Sequence, residues 1–257
     1  MTDELLKLDK CTIRFGGLTA VSSFEMEVNK GELVGLIGPN GAGKTTVFNM
    51  VTGVYEPTEG DVRLCGDRLN GLKPYAITAR GIARTFQNIR LFGSLTVFDN
   101  VRAAFNIHLK YGPVHALTGG SAFIREEADI EKRALEILKI FNLDRHSDVM
   151  CKSLPYGAQR RLEIVRALAT QPKLLLLDEP AAGMTPTEKS GLMKLIEFVR
   201  ERFEISILLV EHDMRVVMGI CKRIYVLDYG VKIAEGPPEE IRSNPKVIEA
   251  YLGENPA

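Results

Sequence analysis

Gly38-Pro39-Asn40-Gly41-Ala42-Gly43-Lys44-Thr45 is the stretch on which the reading of this chain turns. It fits the pattern G-x-x-x-x-G-K-[ST] without a mismatch. Its glycines let successive backbone N–H groups point into one concavity, where a Cβ would intrude, and wrap a chain of phosphates. Lys44 supplies a point charge for the terminal phosphates, and Thr45 offers a hydroxyl to Mg²⁺. Thr46 follows into the helix, whose first turn adds the positive end of its dipole. The context fits this chemistry: the apolar run Leu33 to Ile37 reads as a strand before the loop, and a helix from about Lys44 to Thr52 follows it. A bland glycine-rich surface turn has no need of that strand–loop–helix order.

A phosphate loop needs a second carboxylate for the metal and a group that positions water. Leu174-Leu175-Leu176-Leu177-Asp178-Glu179 supplies both. Four apolar residues make a buried strand, and the first charges fall at its carboxyl end, where open α/β sheets bind ligands. Asp178 is placed to hold Mg²⁺ through its water shell, and Glu179 to polarise the attacking water as general base. Without the loop, the same residues would read as a strand ending in a solvated acidic turn.

Working outward, residues 5–14 and 21–28 read as strands around a Gly16-Gly17 turn, and Val62 to Leu64 as a further strand. Apolar strands return at 174–177, 207–210 and 224–227, alternating with helical patterns near 188–202 and 213–220. That alternation predicts a buried parallel sheet. Between them, 128–141 places Leu135, Leu138 and Phe141 on one helical face, and 159–169 does the same with Leu162, Val165 and Ala169. Tyr111 to Ser121, rich in glycine with a proline, reads as a surface loop. The whole is one domain over 1–257: an α/β core over 1–87 and 166–257, split by a mostly helical insertion over 88–165.

Composition excludes less than the motifs establish. The 33 Lys+Arg balance 33 Asp+Glu, which argues against bulk attraction to nucleic acid or anionic lipid. The opening MTDELLKLDK has neither the apolar core nor the cleavage site of a secretory signal, and no apolar run approaches a membrane span. Cys11, Cys65, Cys151 and Cys221 are scattered without a CxxC, so neither zinc cluster nor disulfide scaffold is indicated. The composition predicts a soluble, intracellular, globular chain. His108, His115 and His146 read as surface residues, and Arg160 with Arg161 as a solvated helix face.

The remaining motifs carry a family resemblance. Gln87 in TFQN, Leu154-Pro155-Tyr156-Gly157-Ala158-Gln159-Arg160-Arg161 before LEIVRAL, and His212 in LVEHDM stand in the order found in ATP-binding subunits of ABC transporters. The chain resembles them from Phe15 to the closing EAYLG. The resemblance implies the P-loop NTPase fold of ABC ATPases, with a RecA-like core, an N-terminal antiparallel β region and an inserted helical subdomain. It implies that Phe15 stacks on adenine with Val21 beside it, and that Gln87 senses Mg²⁺ and the γ-phosphate. His212 would hold the γ-phosphate and attacking water. Leu154, Pro155, Tyr156 and Gly157 would complete the ATP site of a head-to-tail partner, either a sister ATPase or a second copy.

Two departures stand out. The family's usual signature is LSGGQ; here Pro155 replaces the serine, Tyr156 the first glycine and Ala158 the glutamine, and proline cannot donate the serine's bond to phosphate. In the loop after Glu179, Thr185 stands where many relatives carry aspartate.

RFGGLTAV, GIARTFQNIRLF, DEPAAGMTP and NPKVIEAYLG look most like the branched-chain amino-acid importer branch. That resemblance implies two membrane permease subunits, a solute-binding protein outside the cell, no nucleic acid, and attachment at the cytoplasmic face of the inner membrane. Three alternatives differ. An ATPase of a lipid or exporter system would share the fold. A soluble ABC protein acting on ribosomes or nucleic acid would usually carry two nucleotide modules or a long coiled-coil insertion. A GTPase or small-molecule kinase would leave Gln87 and His212 without a role, and the guanine-reading N-K-x-D is absent from the sequence.

Overall fold

The computed structural model describes residues 3–109 and 120–252. The chain forms two compact units, one from residues 1–87 with 173–257 and the other from 88–172. The second ends at Pro172 rather than near residue 165 because one continuous helix, Tyr156–Ala169, runs through that point.

The first unit begins with strands β1 (Glu4–Phe15), β2 (Leu18–Asn29) and β3 (Leu33–Ile37), followed by helix α1 (Lys44–Val51). Next come β4 (Glu59–Leu64), β5 (Asp67–Arg68), α2 (Pro74–Ala79) and β6 (Ile82–Arg84). β1 and β2 form a hairpin on the Gly16-Gly17 turn, where Gly16 takes φ +58°, a conformation that favours glycine. They belong to a four-stranded antiparallel sheet in the order β2-β1-β4-β5.

The second unit contributes α3 (Val97–Phe105), α4 (Ser121–Ile140) and α5 (Tyr156–Ala169). On α4 the buried stripe is Ile130, Ala134, Ile137 and Leu138, at the spacing of one helical face. Leu135, expected on that face, is exposed; it lies one residue off the stripe. On α5, Leu162, Val165 and Ala169 are buried. Asn100 is buried in this unit: its amide donates to the carbonyls of Phe92 and Thr96 at 3.0 Å each, and its oxygen accepts from the Phe92 N–H at 2.9 Å. His146 is exposed; His115 and most of the Tyr111–Ser121 stretch lie outside the described residues.

The chain then returns to the first unit with β7 (Leu174–Asp178), α6 (Pro186–Arg202), β8 (Ser206–Val210) and α7 (Met214–Ile220). It closes with β9 (Arg223–Asp228), β10 (Val231–Gly236), α8 (Pro238–Ser243) and α9 (Pro245–Leu252). The six-stranded sheet has the order β10-β9-β3-β8-β7-β6. It is parallel except for the β9–β10 hairpin. Every residue of β3, β7 and β8 is buried, which is why these strands read as unbroken apolar runs. One face of this sheet shares a core with the antiparallel sheet, through Leu6, Leu8, Phe24, Phe48, Leu176, Leu208 and Tyr225. Among the described residues, no helix is long and apolar enough to cross a membrane. The four cysteines are unpaired.

Leu208 is fully buried at the centre of the parallel sheet. Leu208→Ala is expected to cost about 2–5 kcal/mol of unfolding free energy, measured by urea denaturation.

Candidate active site

The parallel register brings three segments to one edge. Leu36 pairs with Val210 and Asp178 also pairs with Val210, so β3, β7 and β8 end level. The phosphate loop leaves β3 there, Asp178 and Glu179 leave β7, and His212 leaves β8.

The loop is held from behind by close packing. A Cβ on Gly38 would lie 2.0 Å from the Leu227 carbonyl oxygen, and one on Gly43 would lie 2.9 Å from that of Ala20. Gly41, at φ +83°, faces open space. Ala42 is buried and its carbonyl accepts from Gly230 N–H at 2.9 Å, while Pro39 is half-buried and Asn40 exposed. Among the described residues, the N–H groups of Asn40, Gly41, Gly43, Lys44, Thr45 and Thr46 donate to no protein acceptor. So many orphan donors around one helix start make an anion cradle, and a phosphate chain fits it. Lys44 Nζ donates to the carbonyls of Gly38 at 2.7 Å and Pro39 at 2.8 Å. Burial holds its ammonium below the ordinary lysine range, against the opposing pull of Glu179 and Asp178.

Glu179 follows β7 at φ +44°, a backbone conformation uncommon for a non-glycine residue. Its Oε2 accepts from Gln87 Nε2 at 2.9 Å and lies 3.4 Å from His212 Nδ1. Three residues far apart in sequence thus meet on one carboxylate oxygen. Asp178 is buried, and its Oδ2 accepts from Arg84 Nη2 at 2.6 Å. Arg84 also donates to Asn49 Oδ1 at 2.7 Å and packs over the rings of Phe48 and Phe86. The donor set fits a hard divalent cation bound mostly through water: a hydroxyl, an amide oxygen and a carboxylate from Thr45, Gln87 and Asp178.

Phe15 ends β1, is 44% exposed, and sets its ring edge-on to Tyr55, centroids 5.1 Å apart. That ring is available to a planar base. Val21 is not: it is fully buried, and its Cγ2 lies behind Gly43. It packs beneath the phosphate loop instead of lining an adenine site.

In the second unit, Pro155 is the N-cap of α5, with extended backbone and no side-chain cap. Tyr156 is exposed, Leu154 is buried, and the Leu154 carbonyl accepts from Gln159 Nε2 at 2.8 Å. Arg160 corrects the expectation of a solvated face. It is 1% exposed and pairs with equally buried Glu163 at 2.8 Å, whereas Arg161 is exposed. The i,i+3 spacing of opposite charges signalled such a pair, but nothing local to the sequence showed that it would be buried.

Sequence reasoning passed over Arg84 and Glu211. Arg84 was detectable as a lone cation in the apolar run of GIARTF. Glu211 stands between an apolar strand and His212, and its 0% exposure depends on contacts 30 residues away in sequence. The departure at Thr185 has a structural reading: its hydroxyl caps α6 in a capping box with Glu188.

Residues 21–182 match the sequence profile of the family described as ABC transporter, and residues 231–257 that of the branched-chain amino acid ATP-binding cassette transporter. The chain is 48% identical over 254 residues to the high-affinity branched-chain amino acid transport ATP-binding protein LivG of Salmonella typhimurium, covering 99% of this chain and 100% of that one. It is 44% identical to BraF of Pseudomonas aeruginosa, a protein of the same description, with the same coverage. The lipopolysaccharide export system ATP-binding protein LptB of Escherichia coli is 37% identical, over 94% of each chain. Among solved structures, the ADP conformation of an ATP-binding cassette of an ABC transporter superposes with a TM-score of 0.84 at 32% identity. It covers 98% of this chain and 100% of that one. A dimeric cassette in a post-hydrolysis state, bound to ADP and phosphate, gives a TM-score of 0.75 at 27% identity, covering 91% and 99%.

One ion pair near the site is accessible to titration. Asp213, the N-cap of α7, accepts from Lys189 Nζ at 2.5 Å, which holds its carboxyl below the usual range. A depressed folded-state value gives stability that is present above the unfolded value of about 3.9 and is lost as pH falls through the folded value. Lys189→Met is therefore expected to destabilise the protein by about 0.5–1 kcal/mol at pH 7 and by less below pH ~3, measured by denaturation at both pH values.

Proposed function

Because this chain belongs to the ABC transporter family, as an ATP-binding cassette, we propose that it is the ATP-hydrolysing subunit of an importer for branched-chain amino acids. The observation that carries the hydrolytic reading is the single Glu179 oxygen that meets both Gln87 and His212, beside Asp178 and a loop of unpartnered N–H groups. The solute is supported by relatives at 44–48% identity over their full length, and by the carboxyl-terminal match to the branched-chain family. The lipid-export relative is less similar, which favours the importer over the exporter reading.

In this reading the cradle N–H groups and Lys44 bind the phosphates, and Phe15 presents its ring to adenine. Thr45, Gln87 and Asp178 would hold Mg²⁺, which when bound neutralises charge on the β- and γ-phosphates. Glu179 accepts the proton of the attacking water, while His212 orients that water and the γ-phosphate. Lys44 must exchange its two carbonyl acceptors for phosphate oxygens, so nucleotide binding reorders the loop. The segment Leu154–Gly157 completes the site of a partner ATPase, a sister subunit or a second copy, in a head-to-tail dimer. With Pro155 in place of serine, α5 offers that site its backbone N–H groups and dipole but not the serine hydroxyl. The unit from 88 to 172 docks on one of two permease subunits at the cytoplasmic face, and a solute-binding protein outside the cell delivers the amino acid. Closure on two ATP shifts the permeases, and hydrolysis resets them.

Three measurements test this. Lys44→Ala is expected to abolish tight ATP binding in a fluorescent-nucleotide titration; retained affinity and hydrolysis would sink the site assignment. Glu179→Gln is expected to keep ATP affinity but lower kcat by about 10²–10⁴-fold, and to trap a dimer with its partner on gel filtration. Deleting the gene is expected to remove energy-dependent uptake of leucine, isoleucine and valine; unchanged uptake of all three would refute the solute class.

A further inference from the structure

The strands that deliver Glu179 and His212 stop pairing at Glu179, before the chain reaches His212. The ladder between β7 and β8 runs from Leu174 opposite Ser206 to Asp178 opposite Val210. It gains one more bond, from the Glu179 N–H to the Val210 carbonyl at 2.9 Å. The next donor on the β7 side, the Ala181 N–H, meets a side chain instead: it donates to Glu211 Oε1 at 2.7 Å. The other carboxylate oxygen, Oε2, accepts from the His212 N–H at 3.2 Å and the Asp213 N–H at 3.5 Å. One side chain thus continues the ladder after the backbones have diverged, and it ties the turn after Glu179 to the segment that carries His212.

The choice of residue is demanding. Glu211 is fully buried, and among the described residues no lysine or arginine forms an ion pair with it; the imidazole Nδ1 of His212 lies 3.9 Å away. A buried carboxylate without a cation is costly, and here three backbone donors offset the cost. Burial raises its pKa, while the N–H groups of Ala181, Asp213 and His212 pull it back down. A neutral amide would serve worse. Glutamine offers one acceptor oxygen, and its NH₂ would face either the Ala181 donor or the His212 and Asp213 donors. A serine or threonine hydroxyl is too short to span both loops. Only a carboxylate of this length accepts in both directions.

What it holds is a strained and consequential geometry. Glu179 sits at φ +44°, and its carbonyl accepts from the Ala182 N–H at 3.2 Å, so the turn moves with Ala181. Such backbone conformations persist when their surroundings over-determine them.

We propose that Glu211 is a positioning residue that locks the turn 179–182 to the segment 211–213, keeping Glu179 Oε2 and His212 Nδ1 in register for hydrolysis. This rests on the ATPase reading for its consequence, though the latch itself is a property of the fold.

The test uses the full-length chain with its partner ATPase, as wild type, Glu211→Gln and Glu211→Asp. Amide hydrogen exchange is read on peptides covering 179–185 and 211–215, alongside kcat and KM for Mg²⁺–ATP. In Glu211→Gln, both peptides are expected to exchange about tenfold faster with the rest of the chain unchanged. Its kcat is expected to fall about tenfold or more, with KM within about twofold. Glu211→Asp, shorter by one methylene, is expected to loosen at least one loop and to lie between the two in kcat. Unchanged exchange, loosening of only one loop in Glu211→Gln, or normal kcat with both loops loosened would each overturn the proposal. So would loss of protection throughout the first unit in both variants, which marks a merely structural residue. A wild-type chain that hydrolyses no ATP would sink the ATPase reading instead, and the exchange data would still judge the latch.

Discussion

The parallel pairing of β3, β8 and β7 is the constraint from which the site follows. Strands whose residues are buried on both faces leave no freedom of register, because a slip would expose apolar side chains and orphan backbone groups together. Their carboxyl ends therefore fall on one line, and whatever residue comes next is delivered there. Lys44, Glu179 and His212 come from three separate stretches of sequence, yet none needs a long loop to reach the others. The chemistry is placed by hydrophobic burial and only trimmed by polar contacts.

Those polar contacts are arranged as buried charges with assigned partners. Asp178 has Arg84, Lys44 has two carbonyls, and Glu211 has three N–H groups. The second unit repeats the strategy with Arg160 and Glu163 directly inside the helix that Pro155 starts. A buried pair contributes little net stability, since desolvation cancels most of the attraction, but losing one partner is expensive. Such pairs fix geometry more than they hold the fold together.

Much of this was legible in the sequence. The phosphate loop, the strand ending in Asp178-Glu179 and the strand before His212 each combine an apolar run with a charge at its end, a signal that is local. A place for Gln87 at the site was implied only by family resemblance, because an exposed glutamine has no local signature, and its bond to Glu179 is a finding of the structure. Arg160 shows where local reading fails. A helix arginine is an ordinary pattern, and its burial beside Glu163 is decided by neighbours elsewhere in the chain, whereas the expectation for Val21 came from the family resemblance. The early start of α4 failed for a related reason: its first turn lacks the apolar repeat that marks its later turns. Short edge elements such as β6 and β5 are too brief for any period to show.

The phosphate loop is clamped from both ends of the polypeptide. Gly230 donates to the Ala42 carbonyl at 2.9 Å and accepts from the Ser22 N–H at 2.8 Å, and Gly38 abuts Leu227. During synthesis, then, the most recognisable motif of the chain emerges early but gains its native support only after residue 230 has left the ribosome. The loop's native bracing is thus completed by the carboxyl-terminal strands rather than by its own neighbours in sequence.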